Sequence, residues 1–145
     1  MAATPTCRLH ASCVAVAGQG LLITGGSGSG KSTLALQMMA LGAELIADDQ
    51  VIITASDDAL VVSAPEPLRN MIEARGLGLL FARAADQAHL AGVVDLDHVE
   101  TERLPPQIET TILNRPIRQL RRVDGPHFAP ALLQFLKHGA LNPDA

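Results

Sequence analysis

Residues 21–33 read LLITGGSGSGKST, and this stretch decides the fold class. An apolar run precedes a glycine-rich loop that fits GxxxxGK[ST], and a helical pattern follows the loop. In such a loop, backbone N–H groups and the helix N-terminus attract an anion, Lys31 reaches the β and γ phosphates, and the Ser32 hydroxyl can bind Mg²⁺. The sequence therefore predicts that a nucleotide or another polyphosphate binds at Gly25, Gly26, Ser27, Gly28, Ser29, Gly30, Lys31, Ser32 and Thr33.

The composition indicates one globular domain with an aliphatic core. The chain has 145 residues, of which 48% are hydrophobic, 18% are charged and only 2% are aromatic. That length suffices for a real core without disulfides or a structural metal. The composition excludes disordered and disulfide-scaffold proteins, and the lack of aromatics argues against stacking on single-stranded nucleic acid. We expect a single domain over residues 1–145.

Charge and hydropathy limit the expected partners and location. The net charge of -4 does not suit a nucleic-acid partner, and no apolar stretch is long enough for a membrane span or a secretory signal. We therefore expect a cytoplasmic protein that binds neither nucleic acid nor a membrane. Cys7 and Cys13 lie in one extended segment, too far apart to bridge, and are predicted to be reduced, buried thiols. Arg115, Arg118, Arg121 and Arg122 form a basic segment, which is either a solvated face or a site for an acidic ligand.

Strand and helix patterns alternate along the chain. A strand is predicted at 9–17, and it should form a hairpin with residues 21–24 through Gly18-Gln19-Gly20. A helix should follow the phosphate loop and end at Gly42, and an amphipathic helix should begin at Phe128 and end before Gly139. Further strands are predicted at 43–47, 51–54, 60–63 and 92–96. Because several connections are short, we predict an α/β domain with a mixed sheet and flanking helices.

Two pairs of carboxylates are candidates for the second half of the site. Phosphoryl transfer at a phosphate loop needs a carboxylate that activates the acceptor or holds the metal. Asp48 and Asp49 end the predicted strand that follows the loop helix, whereas Asp95 and Asp97 end a strand more typical of metal-holding positions. A solvated turn is the alternative interpretation of Asp48 and Asp49.

Three stretches together resemble a known family. Residues 45–49, LIADD, follow the loop helix directly, and residues 72–80, IEARGLGLL, look like that family's signature sequence. His10 stands before the loop strand, where the family has a histidine. In order and spacing, these motifs over about residues 8–80 resemble the catalytic domain of bacterial HPr kinase/phosphorylase.

The resemblance implies a fold and a reaction. The fold would be similar to the nucleotide domain of phosphoenolpyruvate carboxykinase. The reaction would be ATP- and Mg²⁺-dependent phosphorylation of a serine on HPr, the small phosphocarrier of the sugar phosphotransferase system, or on its nitrogen-related, HPr-like paralogue. Many members also reverse this modification by phosphorolysis, and the family's assembly would make this chain a hexamer.

The resemblance also implies roles for individual residues. Lys31 would bind phosphate, and Ser32 and Glu73 would hold Mg²⁺, with Glu73 expected in a turn between glycines. Asp48 would be the base that takes the serine proton, and Asp49 would support the metal or Asp48. His10 would lie near the transferred phosphoryl group, and Arg103 would stabilise its charge. The alternatives without a catalytic role are a Glu73–Arg75 salt bridge and a surface position for Arg103.

Departures from the family pattern limit what the resemblance implies. The segment 112–122 is divergent where the family has a proline-containing loop associated with dephosphorylation, so we predict weak or absent phosphorolysis. The sequence starts nine residues before His10, which predicts a short form without the family's N-terminal domain. Two other functions stay open: a kinase of a small metabolite, and a nucleotide-sensing module without catalysis.

Overall fold

The computed structural model describes residues 4–66 and 70–143. Within these ranges it has eleven strands and two helices. The strands are β1 (Thr6–His10), β2 (Ser12–Val16), β3 (Gln19–Thr24), β4 (Glu44–Ala47), β5 (Gln50–Ser56), β6 (Ala59–Ser63), β7 (Met71–Ala74), β8 (Gly78–Phe81), β9 (Gln87–Val99), β10 (Ile108–Ile112) and β11 (Arg115–Arg122). The helices are α1 (Lys31–Ala40) and α2 (Phe128–His138).

Nine of these strands form one mixed sheet. Its main order is β1-β5-β6-β9-β3-β2-β4, and the β10–β11 hairpin joins it through β9. β9 runs parallel to β3 on one side and to β11 on the other, and the remaining pairs of this sheet are antiparallel. β7 and β8 form a separate antiparallel hairpin. The predicted mixed sheet is confirmed.

Alternate residues of the central strands face two different cores. On β3, Leu21 and Ile23 face a core that also contains the buried sides of α1 and α2, whereas Leu22 faces a second core. Among the described residues, the second core is built from the strands and the segments that connect them, and no helix residue belongs to it. Both helices therefore cover one face of the sheet, and the prediction of helices flanking the sheet holds for that face alone. The other face is closed by strands, because the sheet curls over it.

The N-terminal elements match the sequence patterns with one correction. The predicted strand 9–17 is two strands, which Ala11 separates. β1 pairs with β5, whereas β2 pairs with β3 and β4. The predicted hairpin, the loop helix and its end before Gly42, and the strands near 44, 51, 60 and 92 are confirmed. The C-terminal helix 128–138 also matches its prediction.

The segment 112–122 is not a loop. It is the turn and second strand of the β10–β11 hairpin, and β11 pairs along β9. Arg115 donates to the carbonyl oxygens of Ser56 and Ala59 at 2.9 and 2.7 Å, and Arg118 lies 5.8 Å from the centre of the Phe135 ring. The prediction of a solvated basic face is therefore wrong for these two arginines, because their guanidinium groups bind this chain itself.

The cysteines lie on separate strands and are free thiols. Cys13 is buried and Cys7 only partly so, which corrects the prediction of two buried thiols. Burial raises the pKa of both thiols, most strongly for Cys13, so both stay protonated at neutral pH. Neither described helix has the length and apolar character that crossing a bilayer requires.

Candidate active site

The phosphate loop opens into a cleft of about 360 Å³. Three parts of the chain line it: the loop and first turn of α1, the residues at two strand junctions, and the β7–β8 hairpin. The lining residues are His10, Ser12, Ser27, Gly28, Gly30, Lys31, Ser32, Thr33, Asp48, Asp49, Glu73 and Arg75.

The loop and α1 form a binding surface for an anion. Gly30 adopts a left-handed conformation (φ 101°) and lets the helix start at Lys31, and Leu34 makes the first helical hydrogen bond back to Gly30. The N–H groups of the three residues before Leu34 have no partner within the helix. Lys31, only 9% exposed, donates from Nζ to the carbonyl oxygens of Gly25 and Gly26 at 2.9 and 3.0 Å. An ammonium has three donors, so its third can reach a phosphate oxygen.

Gly25 is required by the shape of the loop. Its φ of 151° lies in a region that L side chains avoid, and a Cβ there would lie 2.5 Å from Ser29 Oγ. The N–H of Gly26 donates to the two carboxylate oxygens of Asp97 at 3.0 and 3.2 Å. These hydrogen bonds fix the start of the loop against β9.

Strand register brings Ser12 opposite Asp48. β2 and β4 are antiparallel with Cys13 opposite Ala47, so the residue before Cys13 faces the residue after Ala47. Asp48 is 8% exposed and accepts three hydrogen bonds. Its Oδ1 accepts from Ser12 Oγ at 2.6 Å and Ser32 Oγ at 2.8 Å, and its Oδ2 accepts from the Glu73 N–H at 3.0 Å. Asp48 therefore joins the sheet, the phosphate loop and the β7–β8 hairpin, and it is not a solvated turn.

The neighbouring pair, His10 and Asp49, lies at the cleft rim. His10 Nε2 is 2.6 Å from Asp49 Oδ1, and both side chains are more than half exposed. Asp49 has a positive φ of 72°, and its carbonyl oxygen accepts from the Ala11 N–H at 3.1 Å. Few non-glycine residues adopt this conformation, and strain of this kind is concentrated at functional sites. The turn between β4 and β5 is therefore held where it points two adjacent carboxylates into one cleft.

Glu73 lies in strand β7 rather than in the predicted turn. It pairs with Leu79 of β8, and the turn begins only after Ala74. Its backbone N–H donates to Asp48 Oδ2, and the residue lines the cleft. Within residues 4–66 and 70–143, Glu73 and Arg75 form no ion pair, so both side chains can serve a ligand.

The donor set fits a nucleotide with its Mg²⁺. Mg²⁺ prefers oxygen ligands and usually takes one or two from protein, with the rest from phosphate and water. Ser32 and Glu73 supply such oxygens next to the anion-binding N–H groups, and Asp49 is a third oxygen donor on the same cleft. Among the described residues, no group of three or more His, Cys, Asp and Glu side chains forms a metal site by itself. The cleft thus fits a metal that arrives with phosphate.

The two candidate carboxylate pairs differ in their position relative to the cleft. Asp95 bonds the His98 ring at 2.5 Å and the Asp97 N–H at 2.9 Å, and Asp97 bonds the start of the loop. Neither lines the cleft, whereas Asp48 and Asp49 both do. Arg103 is exposed in the segment between β9 and β10 and is not among the residues that line the cleft. Its role at the phosphoryl group stays a prediction.

Two residues that line the cleft were given no role at the site from the sequence. Ser12 is 1% exposed and touches Asp48, and Arg75 brings a cation to the rim. The only sequence signal for Ser12 was a hydroxyl in an otherwise apolar strand. Knowing the register between β2 and β4 would have placed that hydroxyl opposite Asp48. Arg75 lies in the signature-like stretch 72–80, so its position could have been found there.

Fold and cleft together define a protein in which a buried carboxylate, Asp48, is hydrogen-bonded to Ser32 of a loop with the GxxxxGK[ST] pattern. The family model for the HPr Serine kinase C-terminal domain matches residues 2–112. The chain therefore belongs to the HPr serine kinase C-terminal domain family.

Individual relatives agree with this assignment. The HPr kinase/phosphorylase of Geobacillus kaustophilus is 44% identical over 107 residues, which cover 68% of this chain and 34% of that protein. The HPr kinase/phosphorylase of Bacillus subtilis is 47% identical over 77 residues, covering 52% and 25%. The solved HPr(Ser) kinase/phosphatase of Coxiella burnetii matches with a TM-score of 0.74 at 22% identity, over 90% of this chain and 87% of that one. The chain spans about a third or less of the length of these curated relatives.

Proposed function

We propose that this protein phosphorylates a serine on HPr, or on an HPr-like phosphocarrier protein, using ATP and Mg²⁺. The observation that carries the proposal is Asp48, which is buried, accepts a hydrogen bond from the phosphate-loop hydroxyl of Ser32 and lines the same cleft as Lys31. The family assignment supports a protein serine as acceptor and does not favour a metabolite kinase or a silent sensor.

Lys31 and the first turn of α1 would hold the terminal phosphates. Phosphoryl transfer is catalysed mainly by positioning and by neutralising charge, and these groups do both. Ser32 and Glu73 would hold Mg²⁺, which supplies charge neutralisation when it is bound with the nucleotide, and Asp49 would support it. Arg75 adds a cation at the rim, where the acceptor must enter.

Asp48 would take the proton of the acceptor serine. A carboxylate has about four lone-pair sites, and three are used by Ser12, Ser32 and Glu73. The remaining site is on Oδ2, so this oxygen can accept from an incoming hydroxyl. Since a serine hydroxyl is a poor nucleophile at neutral pH, a base at this position supplies what the loop lacks. His10 would orient Asp49 and lie near the transferred group.

Further features follow from the family and stay part of the proposal. The fold would be akin to the nucleotide domain of phosphoenolpyruvate carboxykinase, residues 1–145 would act as a single catalytic domain, and the protein would assemble as a hexamer in the cytoplasm. Phosphorolysis would be weak, because none of the arginines of β11 lines the cleft that holds the transferred phosphate.

Incubation with γ-labelled ATP, Mg²⁺ and purified phosphocarrier tests the proposal. We expect acid-stable phosphoserine on the carrier. Transfer of label to a small molecule instead would support the metabolite kinase, and nucleotide binding without any transfer would support the sensor. The same protein incubated with phosphoserine carrier and inorganic phosphate should release little pyrophosphate; release as fast as the forward reaction would show that phosphorolysis is intact.

A further inference from the structure

A second cleft of about 290 Å³ lies on the other side of the phosphate loop. Gly30 and Thr33 border both clefts, so the two lie next to each other at the start of α1. We propose that this second cleft holds the base and ribose of the nucleotide whose phosphates occupy the first. The inference rests on the proposed function, because it takes ATP as the phosphoryl donor.

The direction of the nucleotide follows from what lines each cleft. Lys31, Ser32 and Asp48 line the first cleft and not the second. The lysine of such a loop reaches the β and γ phosphates, and the acceptor's base must stand at the γ phosphate. The terminal phosphates therefore lie in the first cleft. The nucleoside end must leave past Gly30 and Thr33, and that path enters the second cleft.

The walls of the second cleft suit a nucleoside. Leu34 and Leu96 are 5% and 4% exposed and form an apolar floor, with half-buried Phe128 beside them. Gln37 is exposed one turn after Thr33, so its amide can bind the edge of a base or a ribose hydroxyl. The volume is close to the lower end of the roughly 300–1,000 Å³ of small-molecule sites.

The opposite wall is a turn after β11. Arg122 Nε lies 3.1 Å from Asp124 Oδ1, which places that carboxylate at the cleft. Gly125 follows with φ 155°, and a Cβ there would lie 3.0 Å from the His127 ring. This wall lies beyond the family match, which ends at residue 112. Nucleoside selectivity would thus be set by a part of the chain that the family model does not describe.

Calorimetric binding of ATP and of inorganic tripolyphosphate, each with Mg²⁺, tests the inference. In the wild type, ATP should bind at least about tenfold more tightly, because only ATP fills the second cleft. Gln37→Trp should weaken ATP binding about tenfold by filling the cleft and leave tripolyphosphate within about twofold. Gln134→Trp, on an exposed face of α2 that lines neither cleft, should change neither affinity.

The outcomes separate this inference from the proposed function. Equal wild-type affinities for the two ligands, or a Gln37→Trp protein that keeps its ATP affinity or loses both ligands equally, would overturn the nucleoside site. If the wild type still phosphorylates the carrier in those cases, the proposed function stands alone. If ATP binds as expected but no carrier is phosphorylated, the nucleoside site stands and the proposed function falls.

Discussion

The two clefts beside the phosphate loop are built in different ways. The first is lined by polar side chains at strand junctions, and its central carboxylate is fixed by three hydrogen bonds. The second has an apolar floor and a wall formed by a turn, and two of its polar side chains, Gln37 and Asp124, are exposed. Polar groups buried in a defined network tolerate little change, whereas an apolar wall can change in sequence while keeping its shape. We expect the chemistry to depend on the first cleft and nucleotide preference on the second.

Removing the cation that we propose binds phosphate should have the largest combined effect on catalysis and on nucleotide binding. Lys31→Ala should lower kcat/KM by about 10³-fold and weaken ATP binding, because no other lysine among the described residues lines the first cleft. Steady-state kinetics and calorimetry measure both effects. Lys137→Ala removes the other lysine of the chain, on the exposed face of α2, and should act like wild type. Near-normal turnover of Lys31→Ala would refute the phosphate-binding role.

Glu73→Gln should act on the metal alone. The amide keeps the shape of β7 and the backbone hydrogen bond to Asp48 but gives Mg²⁺ a weaker ligand. The Mg²⁺ concentration for half-maximal activity should rise about tenfold, with thermal unfolding unchanged. Titrating activity with Mg²⁺ measures this, with the exposed Glu109→Gln as control. An unchanged metal dependence would remove Glu73 from the site.

Ser12→Ala should show that the buried hydroxyl positions Asp48. The variant loses the 2.6 Å hydrogen bond to Oδ1, so kcat should fall about tenfold while the Kd for ATP stays within about twofold. Ser12→Thr keeps the hydroxyl in a residue suited to a strand and should recover most of kcat. If alanine and threonine lose equal activity, packing rather than the hydrogen bond matters at this position.

Arg115→Ala should affect stability and not catalysis. Its guanidinium holds the β5–β6 turn through two carbonyl oxygens and lines neither cleft. We expect a loss of about 1–3 kcal/mol in the free energy of unfolding, with kcat within about twofold. Urea denaturation measures the loss, and Arg121→Ala, whose side chain is exposed, should cost less than about 0.5 kcal/mol. A large loss of kcat in Arg115→Ala would indicate instead that the basic segment acts at the phosphate site.

Local patterns predicted the parts of the molecule that are local. The phosphate loop, α1 and Asp48 follow each other in sequence, so a motif and a periodicity suffice to find them. Ser12 reaches the site only because β2 lies opposite β4 in one particular register, and a single sequence does not contain that pairing. The site residues that were predicted lie in the phosphate loop and at strand ends. Ser12 was missed because its place in the site depends on pairing between strands that are distant in sequence.

The β10–β11 hairpin was missed for a different reason. Its turn places Leu113 and Asn114 at positive φ of 51° and 64°. Such turns usually contain Asn-Gly or Asp-Gly, and a leucine at the first position hides the signal. The arginines that follow looked like a solvated face because their partners, the carbonyl oxygens of the β5–β6 turn and a ring of α2, are distant in sequence.

The central claim is that Asp48 transfers the serine proton, and single-turnover kinetics of Asp48→Asn test it most directly. The amide keeps the shape of the side chain but cannot accept the proton. With ATP, Mg²⁺ and phosphocarrier at saturation, the rate of phosphoserine formation should fall about 10²- to 10⁴-fold, while the Kd for ATP stays within about twofold of wild type. A transfer rate close to that of the wild type would contradict the account.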